Sequence, residues 1–173
     1  MSNTIGLFFG STTGNTEDVA ALIAGHLEGY ALDQHDIAEE GLTAIPNYDL
    51  LILGIPTWDF GELQEDWDDL WAELEEIDFS GRTCALFGLG DQVGYGEWFL
   101  DAMGLLHDKL QEHGATLVGY WPNQGYKFTA SKALSEDESQ FVGLAVDQDS
   151  QSGETEERVE TWVKQVITEF GLE

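Results

Sequence analysis

The amino-acid sequence predicts a three-layer, doubly wound α/β fold, and three observations carry the prediction. Short apolar runs alternate with segments of helical periodicity along the chain, as expected when parallel strands are joined by crossover helices. Two of those runs, Leu50–Gly54 and Thr83–Phe87, are apolar almost throughout, the pattern of strands covered on both faces. The chain has 173 residues, near the middle of the single-domain range, so one domain over residues 1–173 is expected.

Taken in order, Thr4–Phe9 reads as the first strand, ended by Gly10. Ser11-Thr12-Thr13-Gly14-Asn15-Thr16 then supplies capping residues, and Val19, Ala20, Ile23, Ala24 and Leu27 recur at helical spacing. Ala31–Ile37 is a second, more polar strand, and Leu50–Gly54 a third, ended by Pro56. Trp67, Leu70, Trp71 and Leu74 mark an amphipathic helix. Thr83–Phe87 is the fourth strand, Phe99, Met103, Leu106 and Leu110 mark the next helix, and Ala115–Val118 is the fifth strand. Val159, Trp162, Val163, Val166, Ile167 and Phe170 give the clearest helical stripe. Between Val118 and the start of that helix near Glu156 lies a segment too long for a structureless loop in a compact domain. It reads as an insertion that interrupts or follows the fifth strand, with Phe141–Val146 returning to the sheet edge.

Composition limits the function. Lys and Arg total 6 against 34 Asp and Glu, a formal charge of −28. Phosphate backbones and anionic bilayers repel such a chain, so no nucleic acid and no membrane is expected among its partners, which should be cationic protein faces. Hydrophobic residues make up 42% and aromatics 12%, with 6 Trp, enough to supply a core. The single cysteine, Cys84, excludes an internal disulfide framework and a multi-cysteine metal site, and reads as a small buried hydrophobe in a strand. His26, His35, His107 and His113 share no ligand spacing, so no metal site is expected. The Gly-x-Ser-x-Gly elbow is absent, and no catalytic residue is assigned. A basic leader and an apolar run of about 18 residues are also missing from the sequence, which points to a soluble, cytoplasmic protein.

The first strand–helix connection carries the strongest local signal. Ser11, Thr12, Thr13 and Thr16 set hydroxyls beside the amides of a helix start, and Gly14 allows close backbone approach, so a small phosphate could be held without a lysine. The loop lacks the Gly-Lys-Ser/Thr ending of nucleoside-triphosphate loops and the GxGxxG of dinucleotide folds. An ordinary Ser/Thr-rich helix cap is the alternative.

The run Leu7-Phe8-Phe9-Gly10-Ser11-Thr12-Thr13-Gly14-Asn15-Thr16-Glu17-Asp18-Val19-Ala20 resembles the signature of the flavodoxin family, whose loop of this type holds the phosphate of FMN. The resemblance implies that role for Ser11, Thr12, Thr13, Asn15 and Thr16. Ile55-Pro56-Thr57-Trp58-Asp59-Phe60-Gly61-Glu62-Leu63 resembles the family loop whose aromatic covers one face of the isoalloxazine. By that likeness Trp58 lies on the inner face and the Asp59–Phe60 peptide near N5, with Pro56, Thr57 and Gly61 also cofactor-binding. Gly88–Phe99 is similar to the third family loop, which implies Tyr95 on the outer face and Asp91 at the pyrimidine edge, with Leu89, Gly90 and Gly96 beside it. The interrupted fifth strand is similar to the long-chain branch. It implies a parallel five-stranded sheet in the order 2-1-3-4-5 and a further contact from Asp149 on the ribityl side, against a solvated acidic turn.

What the resemblance implies is an electron-transfer protein rather than an enzyme. It would be a low-potential one-electron carrier with non-covalent FMN, cycling mainly between semiquinone and hydroquinone. A neutral semiquinone would need an acceptor for its N5 proton, which a carbonyl of the Asp59–Phe60 peptide could supply after a local flip, although similar loops place glycine or a small residue at one of these two positions and here bulky Phe60 follows Asp59. Implied partners are the basic docking faces of a flavodoxin reductase and of electron-accepting oxidoreductases, met by a monomer. Glu65, Asp66, Asp68 and Asp69 would flank the flavin mouth and steer them. The alternative is an FMN-dependent quinone or nicotinamide oxidoreductase on the same fold. A response-regulator-like module would need an acidic pair where Gly10, Ser11 and Thr12 stand.

Overall fold

The alternation of inward-facing side chains along the apolar runs decides how the layers form. The computed structural model describes residues 3–58 and 60–172. Strand β1 (Ile5–Phe9) is buried along its whole length and pairs in parallel with β2 (Leu32–Asp36) on one side and β3 (Leu50–Trp58) on the other. Strand β5 (Thr83–Leu89) continues the sheet beyond β3, and β6 (Thr116–Val118) pairs with the first half of β5. The order is β2-β1-β3-β5-β6, all parallel, which is the expected 2-1-3-4-5 sheet with a reversal between β1 and β3.

Each strand sends alternate residues to opposite faces. Phe8, Leu51, Leu53, Ile55, Cys84 and Leu86 pack into one core with residues of α3 (Glu65–Leu74) and α4 (Asp101–Glu112). The short α2 (Ile37–Glu40) adds Ile37 to that side. Ile5, Leu7, Phe9, Ile52, Ala85 and Phe87 form the other core with α1 (Asn15–Gly25) and α5 (Thr155–Glu169), whose Val19, Ile23, Val159, Trp162 and Val166 are buried. Gly54 is required where the two strands meet, because a Cβ there would overlap the Phe87 ring. Cys84 is fully buried and burial pushes its thiol up to about 12, consistent with a packing role.

The structure departs from the sequence reading at the strand ends. β3 does not stop before Pro56 but runs to Trp58, with Pro56 opposite Leu89 of β5. β1 has ended by then, so the proline has no ladder partner to fail on that side. β5 likewise extends two residues past Phe87, to Leu89. β3 then turns back as a two-residue antiparallel strand, β4 (Glu62–Leu63), unforeseen in the sequence. The insertion leaves after β6. Its β7 (Trp121–Pro122) and β8 (Gln140–Phe141) form a separate antiparallel ribbon, so only the last part of Phe141–Val146 returns to the sheet. That part, β9 (Leu144–Val146), pairs with the second half of β5, and the fifth strand is thereby split in two. No helix among the described residues is long and apolar enough to cross a membrane.

Candidate functional site

In an open parallel sheet the carboxyl ends of the strands on either side of the reversal leave a crevice between their loops. Here the loops after β1, β3 and β5 and the turn after β9 surround a cleft of about 270 Å³. Thr12, Thr13, Asn15 and Thr16 line it from the first loop, Pro56, Thr57 and Trp58 from the second, Leu89, Gly90, Asp91 and Tyr95 from the third, and Asp149 from the turn. Trp98 and Gln148 line it as well and were missed in the sequence. The signals were present, since Trp98 lies within the third loop and Gln148 adjoins Asp149.

The first loop is shaped by Gly14, which adopts a φ of +93° just before α1, a conformation that glycine tolerates best. Its amide donates to Ser11 Oγ at 3.1 Å. Ser11 thus closes the turn and is not among the residues lining the cleft. No side chain caps α1, and among the described residues nothing accepts from the amides of Asn15 and Thr16. The donor set is therefore neutral hydroxyls and amides at the positive end of a helix dipole.

Thr57 is fixed from behind, its Oγ1 accepting from the Ala102 amide at 3.0 Å. Gly61 has a φ of +86°, and a side chain there would press on the Asp101 carboxylate. Phe60 is 65% exposed and lies edge-on to Trp98, with ring centroids 4.9 Å apart. Phe60 and Gly61 hold the rim of the second loop rather than the wall of the cleft. Asp59 lies outside the described residues, so its predicted place near N5 has no structural counterpart here.

In the third loop Asp91 Oδ1 accepts from the amides of Val93 and Gly94 at 3.0 and 2.8 Å, and its carbonyl accepts from Tyr95 N–H. Tyr95 stands 42% exposed at the mouth. Gly96 faces away from the cleft, its carbonyl accepting from Thr129 and Ala130 of the insertion. Behind this loop sits the fully buried Asp147. It accepts from both the amide and the side chain of Gln92, at 3.1 and 2.8 Å, and from the Asp149 and Ser150 amides at 3.0 and 2.8 Å. Gln92 Oε1 in turn accepts from Lys127 N–H, so the insertion braces the pocket's outer wall. The Asp149 carboxyl is held above the usual carboxylate range, first by burial and then by the charges of Asp91 and Asp147.

Strand order, reversal point and cleft define an open-sheet α/β protein with a cleft at the carboxyl edge, between a lysine-free, hydroxyl-rich loop and two aromatic-bearing loops. The family model described as flavodoxin matches residues 7–162. A flavodoxin of Klebsiella pneumoniae is 54% identical over 98% of this chain and 96% of its own. Flavodoxin 1 of Escherichia coli K12 is 53% identical over 97% of this chain and 95% of its own. Among solved structures, Fusobacterium nucleatum flavodoxin bound to flavin mononucleotide superposes with a TM-score of 0.92, at 31% identity over 96% of this chain and 98% of its own. The chain belongs to the flavodoxin family, and its split fifth strand is the long-chain arrangement.

Proposed function

We propose that this chain, as a single domain over residues 1–173, is a low-potential one-electron carrier that holds FMN non-covalently in the cleft between the β1, β3 and β5 loops. The observation that carries the reading is the donor set of the first loop. Thr12, Thr13, Asn15 and Thr16 line the cleft at the uncapped N-terminus of α1, and among the described residues no lysine or arginine lines it. A phosphate monoester is matched by such donors through hydrogen bonds and the helix dipole. The resemblance assigns Ser11 to the phosphate too, and its bond from Gly14 makes it the residue that shapes the loop.

Trp58 and Tyr95, both lining the cleft, would supply the two walls for a planar ring system, and the backbone of Leu89, Gly90 and Asp91 would meet its pyrimidine edge. Gln148 and Asp149 would meet the ribityl side. Bound FMN supplies two successive one-electron steps. The chain's own part is to hold the ring, limit its hydration and oppose added negative charge. Asp91, Asp147 and Asp149 gather beside the cleft, within a molecule of formal charge −28. Each lowers the affinity for the last electron, because a further negative charge is placed among existing ones in a poorly screened site. The cleft opens to the surface at the Tyr95 mouth, which would let single electrons enter and leave without a substrate pocket.

The acidic groove beside the cleft, lined by Glu62, Glu65 and Asp68 together with Thr12 and Trp58, supports docking to basic faces of a reductase and of acceptor oxidoreductases. Function as a monomer in the cytoplasm fits this exchange of partners. The test is an anaerobic reductive titration of the FMN-loaded chain followed by visible absorption. Two resolved one-electron steps are expected, the second at low potential; a single two-electron bleaching would overturn the carrier reading.

A further inference from the structure

We propose that Gln64 is a positioning residue that commits the Thr12 hydroxyl to donating its proton toward the cofactor phosphate. The inference rests on the FMN reading above and adds to it a residue that touches no ligand. Gln64 is fully buried at the N-terminus of α3. Its Oε1 accepts from the Trp67 amide at 3.4 Å, while its Nε2 donates to Asp66 Oδ2 at 2.7 Å and to Thr12 Oγ1 at 3.0 Å.

The partners fix which end of the amide is which. A carboxylate accepts and a backbone N–H donates, so the NH2 group faces Asp66 and the carbonyl faces Trp67. Both Nε2 protons are then used, one on Asp66 and one on Thr12. Thr12 Oγ1 receives a proton from behind, and its own proton is directed away from Gln64. Thr12 is also a wall of the cleft, so that proton is presented toward the ligand.

This matters because a hydroxyl has both donor and acceptor faces, whereas a phosphate only accepts. A freely rotating threonine presents the wrong face part of the time, and Gln64 removes that choice before the ligand arrives. Gly10 makes room for the arrangement, since a Cβ there would overlap Gln64 Oε1. The chain Trp67 N–H, Gln64, Thr12 thus carries one hydrogen-bond direction from the first turn of α3 to the phosphate loop, with Asp66 holding the second Nε2 proton.

The test titrates the full chain, freed of flavin, with FMN and with riboflavin, which differ by the phosphate. The natural chain should prefer FMN; equal affinities would sink the phosphate-loop reading itself, whatever Gln64 does. In Gln64→Glu a carboxylate oxygen faces Thr12 and takes its proton, so FMN affinity should fall about ten- to hundredfold while riboflavin affinity stays within about twofold. Gln64→Met, neutral and similar in size, frees the hydroxyl and should weaken FMN by several-fold, which keeps the test open if the glutamate variant fails to fold. A Thr12→Val background separates orientation from simple charge repulsion. With no hydroxyl to turn, Gln64→Glu and Gln64→Met should lose their selective effect. The same loss of FMN affinity with and without the Thr12 hydroxyl, or an unchanged FMN-to-riboflavin ratio in both Gln64 variants, overturns the proposal.

Discussion

Asp101 is 2% exposed; one oxygen accepts from the Lys132 amide at 2.8 Å, and the other lies beneath Gly61 of the second loop. Burial raises its carboxyl above the usual carboxylate range, and the Lys132 amide and charge reverse only part of the rise. A carboxyl that holds its proton more tightly when folded favours the native state at low pH, and that contribution is lost as pH rises from the unfolded value through the raised one. Asp101→Asn keeps an acceptor for Lys132 without the charge. Urea unfolding of the apoprotein should therefore show the variant more stable than the natural chain at pH 7, with the advantage shrinking toward about pH 4. Stability curves that stay parallel across that range would refute the assignment. Asp101 and Gln64 were both silent in the sequence, because their roles lie in contacts across long separations; Thr12 and Gln64 stand 52 positions apart. Trp58 and Tyr95, by contrast, follow strands visible as apolar runs, so their place at the carboxyl edge was legible.

Among the elements, α5 holds the insertion through Arg158. The Arg158 guanidinium on α5 stacks 4.3 Å from the Tyr126 ring centroid, and its Nη1 donates to Gln151 Oε1 at 2.8 Å. Gln151 Nε2 donates onward to the Gly125 carbonyl at 2.8 Å. Tyr126 accepts from Trp121 Nε1 and donates to the Ala145 carbonyl at 2.6 Å, joining the ribbon to β9. Arg158→Ala should cost about 1–2 kcal/mol and speed amide exchange across residues 121–127, with β1 and β3 left protected. Arg158→Lys should recover less than half of the loss, because an ammonium keeps the charge without the planar stack and fork. Uniform faster exchange over the sheet would show that Arg158 serves the whole fold instead. The long helices and main strands were legible because their periodicity spans several turns or pleats. β4 and the β7–β8 ribbon are two residues per strand, too short for any period, and owe their form to β3 and the insertion around them.

For the whole molecule, the charge of −28 acts in two opposite ways. It repels itself within the folded chain, and an exposed ion pair such as Lys164 with Glu160 at 3.3 Å offsets little of it. Raising KCl from about 10 mM to about 0.2 M shortens the screening length roughly fourfold and should stabilise the protein by about 1 kcal/mol, or about 2–4 °C in Tm. Across the same range, electron transfer to a basic partner should slow, since encounter is steered by the same charge. A flat Tm against salt would remove self-repulsion from the account, and a flat transfer rate would remove steering. Neither depends on how the sheet is threaded, which has a separate consequence. Val118 of β6 sits opposite Ala85 and Leu144 of β9 opposite Phe87, with only Leu86 of β5 between them. The chain therefore leaves the sheet and rejoins it about 7 Å further along the same edge. Residues 119–143 are in effect a cassette with its two ends side by side, and a lineage or an engineer can shorten, exchange or excise it without re-threading the rest of the chain.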